Sequence, residues 1–135
     1  MTIKVGINGL GRIGRMVVRS IVENNNNNIE IKHINNRTEL KNIIQLLKYD
    51  SIHGKFDAKV ISNDKNLIIN NKKIYYSRET EINKINWKKS GVDIVLECTG
   101  KNNSKEKSFQ HIKNGAKKVI VSAPCKNADK TIVYG

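Results

Sequence analysis

The sequence predicts an α/β fold: a doubly wound, mostly parallel sheet with helices on both faces and a small β-hairpin insertion, in one domain over residues 1–135. Three observations carry this. Short β-branched runs that read apolar throughout alternate with segments whose apolar residues recur at helical spacing, as in a parallel sheet covered on both faces. A glycine-rich turn stands between the first strand-like run and the first helical one. Asn70-Asn71 separates two short strand-like runs, and asparagine tolerates the positive φ that a tight hairpin needs.

Residues 3–8 form the first apolar run and end in Asn-Gly. Ile13, Met16, Val17 and Ile21 then recur at helical spacing, predicting a helix whose apolar face they form. The polar stretch 24–28 reads as a loop, and Ile29-Glu30-Ile31-Lys32-His33-Ile34 as a second strand. Leu40, Ile43, Ile44 and Leu47 predict a helix over 39–48. Strands are expected at 59–62, 67–69 and 73–77, the last two joined by the Asn-Asn turn. Residues 92–96 predict a fully buried strand closed by Glu97-Cys98-Thr99-Gly100. A helix over 104–114 stops at Gly115, a buried strand follows at 119–121, and one more begins at Thr131.

A hydrophobic fraction of 38% supports a real core, and no apolar run approaches the ~18–20 residues that would span a bilayer. The N-terminus enters a strand pattern at once, without the basic and apolar regions of a secretory signal. Cys98 and Cys125 lie far apart, show no metal-ligand spacing and read as free thiols, so the expected location is cytoplasmic and no metal site is expected. The net charge of +13 would suit a nucleic-acid binder. The lysines are, however, spread along a chain rich in Asn and Ile rather than stacked in a block, so no nucleic-acid partner is expected.

Gly9-x-Gly11-x-x-Gly14 has the spacing and setting of a dinucleotide fingerprint, which makes the fold Rossmann-like. Gly9 permits the tight turn, Gly11 lets the backbone approach a pyrophosphate, and Gly14 lets the helix pack on the strand. The anion would lie on the helix N-terminus, where free N–H groups and the dipole favour it. An acidic residue is expected at the end of the second strand to bind the adenosine ribose. That position is Asn36, 22 residues after Gly14. Asn36 can hydrogen-bond a ribose but cannot repel a 2′-phosphate, and Arg37 beside it could pair with one. Two readings stand: a plain NAD site, or relaxed choice between NAD and NADP.

The string Ile7-Asn8-Gly9-Leu10-Gly11-Arg12-Ile13-Gly14-Arg15 resembles the opening signature of glyceraldehyde-3-phosphate dehydrogenases. Further segments resemble the family in order: 47–56, 92–100, 115–124 and 127–135. The resemblance implies that Asn8, Gly9, Gly11 and Gly14 belong to the cofactor loop, with the Arg12 and Ile13 backbone capping the pyrophosphate. It implies that Asn36 contacts the ribose, that Arg78 lies near the adenine, that Thr99 and Gly100 line the groove, and that Ser122 approaches the nicotinamide. Around Arg78 the chain departs from the family pattern.

The family oxidises an aldehyde with NAD and inorganic phosphate, using a cysteine thiolate and a histidine base, in glucose metabolism. Its Ser-Cys-Thr-Thr-Asn nucleophile motif does not occur in these 135 residues, so no catalytic residue is assigned and the chain is expected to be inactive, with the catalytic domain lying outside it. The resemblance also implies a homotetramer for the whole protein, and a helix from the far C-terminus packed on this domain, without which apolar sheet surface is exposed. Cys98 reads as a small packing residue and Cys125 as a loop residue with no base nearby. His33, His53 and His111 read as ordinary, and Tyr49 and Asp50 as loop-fixing. Two alternatives remain: an erythrose-4-phosphate dehydrogenase of the same family, and a non-catalytic nucleotide- or nucleic-acid-binding module.

Overall fold

The computed structural model describes residues 2–24, 28–50, 54–55, 58–63, 65–101 and 104–122. His53, Cys125 and the strand expected at Thr131 lie outside the described residues.

Strand β1 (Ile3–Asn8) leads through the glycine turn into α1 (Arg12–Glu23), then β2 (Ile29–Asn35) and α2 (Leu40–Lys48). A two-stranded ribbon, β3 (Tyr49–Asp50) with β4 (Gly54–Lys55), precedes β5 (Val60–Asn63), β6 (Asn66–Ile69) and β7 (Lys72–Ser77). After a 3₁₀ turn at Ile82–Lys84 come α3 (Trp87–Ser90), β8 (Ile94–Glu97), α4 (Lys105–Lys113) and β9 (Lys118–Val121). Seven strands form one sheet in the order β5-β6-β7-β2-β1-β8-β9. The five from β7 to β9 are parallel, and β5, β6 and β7 are linked antiparallel as the predicted hairpin insertion. Asn70 and Asn71 hold φ of 50° and 68°, the positive values of the tight hairpin turn.

The two faces of the sheet are built from different chemistry. On one face Val5 and Ile7 pack with Ile31, Ile34, Leu67, Ile74 and Tyr76 beneath Val18 of α1 and Ile43, Ile44 and Leu47 of α2. On the other face Trp87 of α3 lies directly over Gly6, where an added Cβ would stand 2.6 Å from the indole. It packs there with Ile85, Val92, Val95 and Ala116 and against the rings of His33 and His111, and Asn8, Asn35 and Glu97 are buried nearby in the same hydrogen-bond network.

A β-bulge makes the second face possible. The run Ile-Glu-Ile-Lys-His-Ile keeps strict alternation only as far as Ile31, since the next isoleucine comes three residues later. The register between β1 and β2 shifts at Val5/Gly6, so that Val5 pairs with Ile31 and Gly6 with His33. Lys32 is the extra residue. Ile34 thereby returns to the apolar core while His33 and Asn35 turn to the Trp87 side.

Three expectations need correction, and one short helix lies beyond what periodicity shows. The buried stripe of α1 runs through Gly14 and Val18, with Val17, Ile21 and Val22 half-buried against the core; Ile13 and Met16 are 49% and 42% exposed. Gly14 sets this rotation, because a Cβ there would collide with the Gly9 carbonyl oxygen, and the helix turns that position onto the strand end. The strand expected at 92–96 is β8, two residues later at its start and carried on through Glu97. Asp93 instead bridges to β1, donating its N–H to the Lys4 carbonyl (2.7 Å) and accepting the Lys4 N–H on its carboxylate (3.1 Å). Strand β9 is not buried. Along the cross-strand row Ile34, Ile7, Leu96 and Ile120, burial is complete at the first two, partial at Leu96 and gone at Ile120, which is 56% exposed. Finally, α3 escapes periodicity because it has four residues; Asn86 caps it by accepting the Lys89 N–H (3.0 Å), and Gly91 at φ 73° ends it.

His33 is fully buried between the rings of Tyr75 and Trp87. Ser77 Oγ donates to Asn35 Oδ1 (2.7 Å), so it accepts from His33 Nε2 (2.8 Å), and Ser90 Oγ donates to His33 Nδ1 (2.8 Å). Burial lowers the His33 pKa to about 4. The native chain therefore refuses a proton that the unfolded chain accepts between pH ~6.5 and ~4. Stability is fully present above that window and is expected to fall by roughly 3 kcal/mol across it as pH drops. Urea unfolding at a series of pH values checks this, and His33→Phe should flatten the dependence in the same window.

Candidate dinucleotide-binding site

The chain leaves β1 toward β2 on one side and later returns to β8 on the other. The connections diverge at the C-terminal end of β1 and open a crevice there, the position at which doubly wound sheets take ligands. A cleft of about 600 Å³ occupies it, lined by the ends of β1, β2 and β8, the segment 79–85, and Lys107 and Gln110 of α4.

The floor begins with the glycine turn. Gly9 adopts φ +98°, and a Cβ there would stand 2.9 Å from the Thr99 nitrogen, so the turns after β1 and β8 touch. Gly11 is different: a Cβ on it would meet nothing within 4 Å. The protein's own packing does not require that glycine, whereas a ligand seated on the loop would. Gly11 is also the N-cap of α1, a twelve-residue helix with no side-chain cap and no acidic residue in its first turn. The Arg12 and Ile13 N–H groups thus stand at a helix end whose positive dipole no side chain offsets, which fits a pyrophosphate. Arg15 steadies the turn by donating from Nη1 to the Leu10 carbonyl (3.0 Å).

At the end of β2, Asn36 Oδ1 accepts the Leu10 N–H (3.0 Å). That bond fixes the orientation of the amide, because a backbone N–H can face only the oxygen. The other edge of Asn36 is a donor, and it also hydrogen-bonds the Tyr76 hydroxyl. Arg78, an exposed residue, donates from Nε to the Arg37 carbonyl (3.0 Å), beside the Asn36 end of the cleft.

Under the floor lies Glu97, fully buried. Its Oε1 accepts from Asn8 Nδ2 (2.8 Å) and His111 Nε2 (2.8 Å), and its Oε2 from the Thr99 N–H (3.0 Å) and Thr99 Oγ (2.6 Å). Burial pushes the carboxyl up, but hydrogen bonds from His111, Thr99 and Asn8 outweigh it and hold Glu97 below the ordinary carboxylate range. Trp87 Nε1 can only donate, so His111 Nδ1 accepts from it (2.9 Å) and the His111 proton sits on Nε2, aimed at Glu97. Asn35 Nδ2 donates to Asn8 Oδ1 (2.9 Å) and to the Glu79 carbonyl (2.9 Å), joining this network to the wall of the cleft.

Of the residues singled out in the sequence, the structure gathers Asn8, Gly9, Gly11, Asn36 and Thr99 around the cleft, with Gly14 behind them and Arg12 and Ile13 at the helix end. Asn8 is 5% exposed and its side chain is committed to Glu97 and Asn35, so it braces the site from beneath. Arg78, Gly100 and Ser122 stand outside the lining. Gly100 takes φ +76° in the turn after Thr99, and Ser122 sits past β9 with its N–H on the Glu97 carbonyl (3.0 Å). Sequence reasoning missed Asn35, Glu97, His111 and Trp87, along with Lys101 and Lys107 on the rim. A charged residue ending a buried strand was the available signal for Glu97. Among the described residues no three His, Cys, Asp or Glu side chains cluster as metal ligands, and no helix is long and apolar enough to cross a membrane.

The family model of the glyceraldehyde 3-phosphate dehydrogenase NAD binding domain matches residues 3–105. The chain belongs to this family. It is 47% identical over 135 residues to the glyceraldehyde-3-phosphate dehydrogenase of Geobacillus stearothermophilus, covering all of the chain and 40% of that protein. To that of Thermotoga maritima it is 47% identical over 132 residues, 98% of the chain and 40% of the relative, and to glyceraldehyde-3-phosphate dehydrogenase 1 of Bacillus subtilis 46% over 135 residues. The chain thus spans about 40% of the length of the curated relatives it matches. The matched domain is the NAD-binding domain of an oxidoreductase family.

Cys98 lines that crevice. Burial pushes its thiol up, a hydrogen bond with Ser122 pulls it down, and the Glu97 charge adds to the rise; the net shift is upward. Cys98 is therefore a protonated packing residue at neutral pH. In a Cys125→Ser background, its alkylation at pH 7 is expected to run slower than that of a free cysteine. Faster labelling than free cysteine would mean an activated thiolate.

Proposed function

We propose that this chain is the cofactor-holding part of a cytoplasmic, homotetrameric enzyme that oxidises an aldehyde phosphate, glyceraldehyde 3-phosphate foremost, in glucose metabolism. The observation that carries the reading is the uncapped N-terminus of α1 beneath the open space at Gly11. NAD, when bound, supplies the hydride acceptor. The residues of this chain do the holding: the Arg12 and Ile13 N–H groups take the pyrophosphate, Asn36 and Arg37 the adenosine ribose, Arg78 the adenine side, and Thr99, Gly100 and Ser122 the nicotinamide side. No residue of the chain is assigned to the chemical step. That step belongs to a Ser-Cys-Thr-Thr-Asn motif, a base and phosphate-binding groups outside these 135 residues.

Gly11→Ser separates this reading from a purely structural loop. A serine fits the open space and can cap α1, so stability should hold or rise by roughly a few tenths of a kcal/mol. The same hydroxyl competes for the N–H groups that take the anion, so NAD affinity should fall by at least about tenfold, or 1.4 kcal/mol. Calorimetric titration with NAD beside thermal unfolding measures both, and unchanged affinity would remove the pyrophosphate assignment. The unmodified chain is expected to bind NAD and give no aldehyde-dependent NADH.

We also propose that the site tolerates NADP. Three features support this: the edge of Asn36 not held by Leu10 is a donor, no carboxylate stands at that position, and Arg37 lines the cleft beside it. A 2′-phosphate would meet donors and a cation rather than a like charge. Asn36→Asp should raise the preference for NAD over NADP by about tenfold or more, since opposed charges of one sign cost several kcal/mol at an interface. An unchanged ratio of the two dissociation constants would remove the tolerance.

A further inference from the structure

We propose that Glu97 is a positioning residue for dinucleotide binding: by drawing Asn8 and Thr99 onto one buried carboxylate, it locks the turn after β1 against the turn after β8 and sets the shape of the crevice between them. The inference rests on the NAD-binding reading of that crevice.

Among the described residues at least four donors converge on Glu97, two from Thr99 and one each from Asn8 and His111. A carboxylate can accept all of them, because both oxygens are acceptors and neither carries a proton. No neutral side chain of that shape can. In glutamine one of the two positions becomes a donor, and whichever way the amide lies it faces a donor that cannot turn away, either the Thr99 N–H or Asn8 and His111; the Thr99 hydroxyl alone can rotate to accept. The Asn8 and His111 side chains are themselves fixed. Asn8 Oδ1 is taken by Asn35, and His111 Nδ1 by Trp87, so neither can turn over to offer an acceptor. The charge is thus specified by geometry, and its ends are the two turns that carry the cofactor contacts. The backbone follows the same line: the Cys98 N–H reaches the Asn8 carbonyl (2.8 Å), and the Gly9 N–H the Asn35 carbonyl (2.8 Å).

A residue that merely stabilised the fold would loosen the whole domain when replaced. A positioning residue loosens the two turns first. Amide hydrogen exchange of the unliganded chain distinguishes these. In Glu97→Gln the Gly9 and Leu10 amides, bonded to Asn35 and Asn36 and not to Glu97, should exchange about tenfold faster relative to the amides of α2, as should Thr99, which is left facing an unmatched donor. NAD affinity should fall by a similar factor. Leu67→Ala, in the aliphatic core away from both turns, supplies the control: the melting temperature should fall while NAD affinity stays that of the original chain. Thr99→Val, which removes the hydroxyl bond to Glu97 and the longer one from the Lys101 N–H (3.2 Å) but keeps the Thr99 N–H bond, should show the same local exchange pattern to a smaller degree if Glu97→Gln does not fold. Exchange that rises uniformly, or affinity that tracks melting temperature through all variants, overturns the positioning role. Failure of the dinucleotide reading shows separately, as absence of NAD binding in the unmodified chain, and the exchange pattern then decides on its own whether Glu97 holds the two turns.

Discussion

A carboxylate with no access to water organises this domain. Burying Glu97 uncompensated would cost several kcal/mol, and the side chain would take up a proton rather than bear it. Instead the charge gathers donors from β1, from the turn after β8 and from α4. Those bonds determine which way Asn8 points, and Asn8 determines Asn35, which in turn holds Ser77 and Glu79. The donor and acceptor roles along this chain are settled one after another, from the Trp87 indole at one end to Ser90 at the other. A buried polar network is costly when partly satisfied and specific when satisfied. This one runs beneath the cofactor crevice.

The contrast between the two faces of the sheet follows from the same requirement. One face is an aliphatic core beneath α1 and α2, and its stability comes from burial without direction. The other holds Trp87, two buried histidines and an asparagine pair, each with directional demands. Only small or polar residues of β1 fit there: Gly6 under the indole and Asn8 at the strand end. The bulge at Lys32 lets β2 serve both faces, sending Ile34 to one and His33 and Asn35 to the other. Local irregularity in that strand is thus the means by which an apolar sheet acquires a polar working edge.

The crevice itself needs nothing unusual. It opens where connections diverge from β1, it presents a helix N-terminus that the protein leaves uncapped, and its rim carries Arg37, Lys101 and Lys107. The +13 charge of the chain adds a long-range field favourable to an anionic cofactor. The turns that form its floor are tied together by the carboxylate below them.

Much of this was readable before any coordinates. Strand and helix order, the Asn70-Asn71 hairpin, the glycine turn and the Asn36 position follow from periodicity, turn chemistry and spacing, which act over a few neighbouring residues. The two asparagines adopt positive φ, and Gly9 does so at the turn where the motif requires it. What stayed hidden depends on contacts between residues far apart in the chain. Glu97 and Asn8 are 89 residues apart, and nothing local in either predicts that one will neutralise the other's burial. The rotation of α1, which hides Gly14 and Val18 and leaves Ile13 and Met16 outside, is decided by backbone approach to the strand rather than by hydrophobicity. Exposure of Ile120 reflects what stands over β9, not its own apolar character. Local propensity acts within a segment and so can be read from that segment; burial, register and the pairing of a charge arise only when the chain closes on itself.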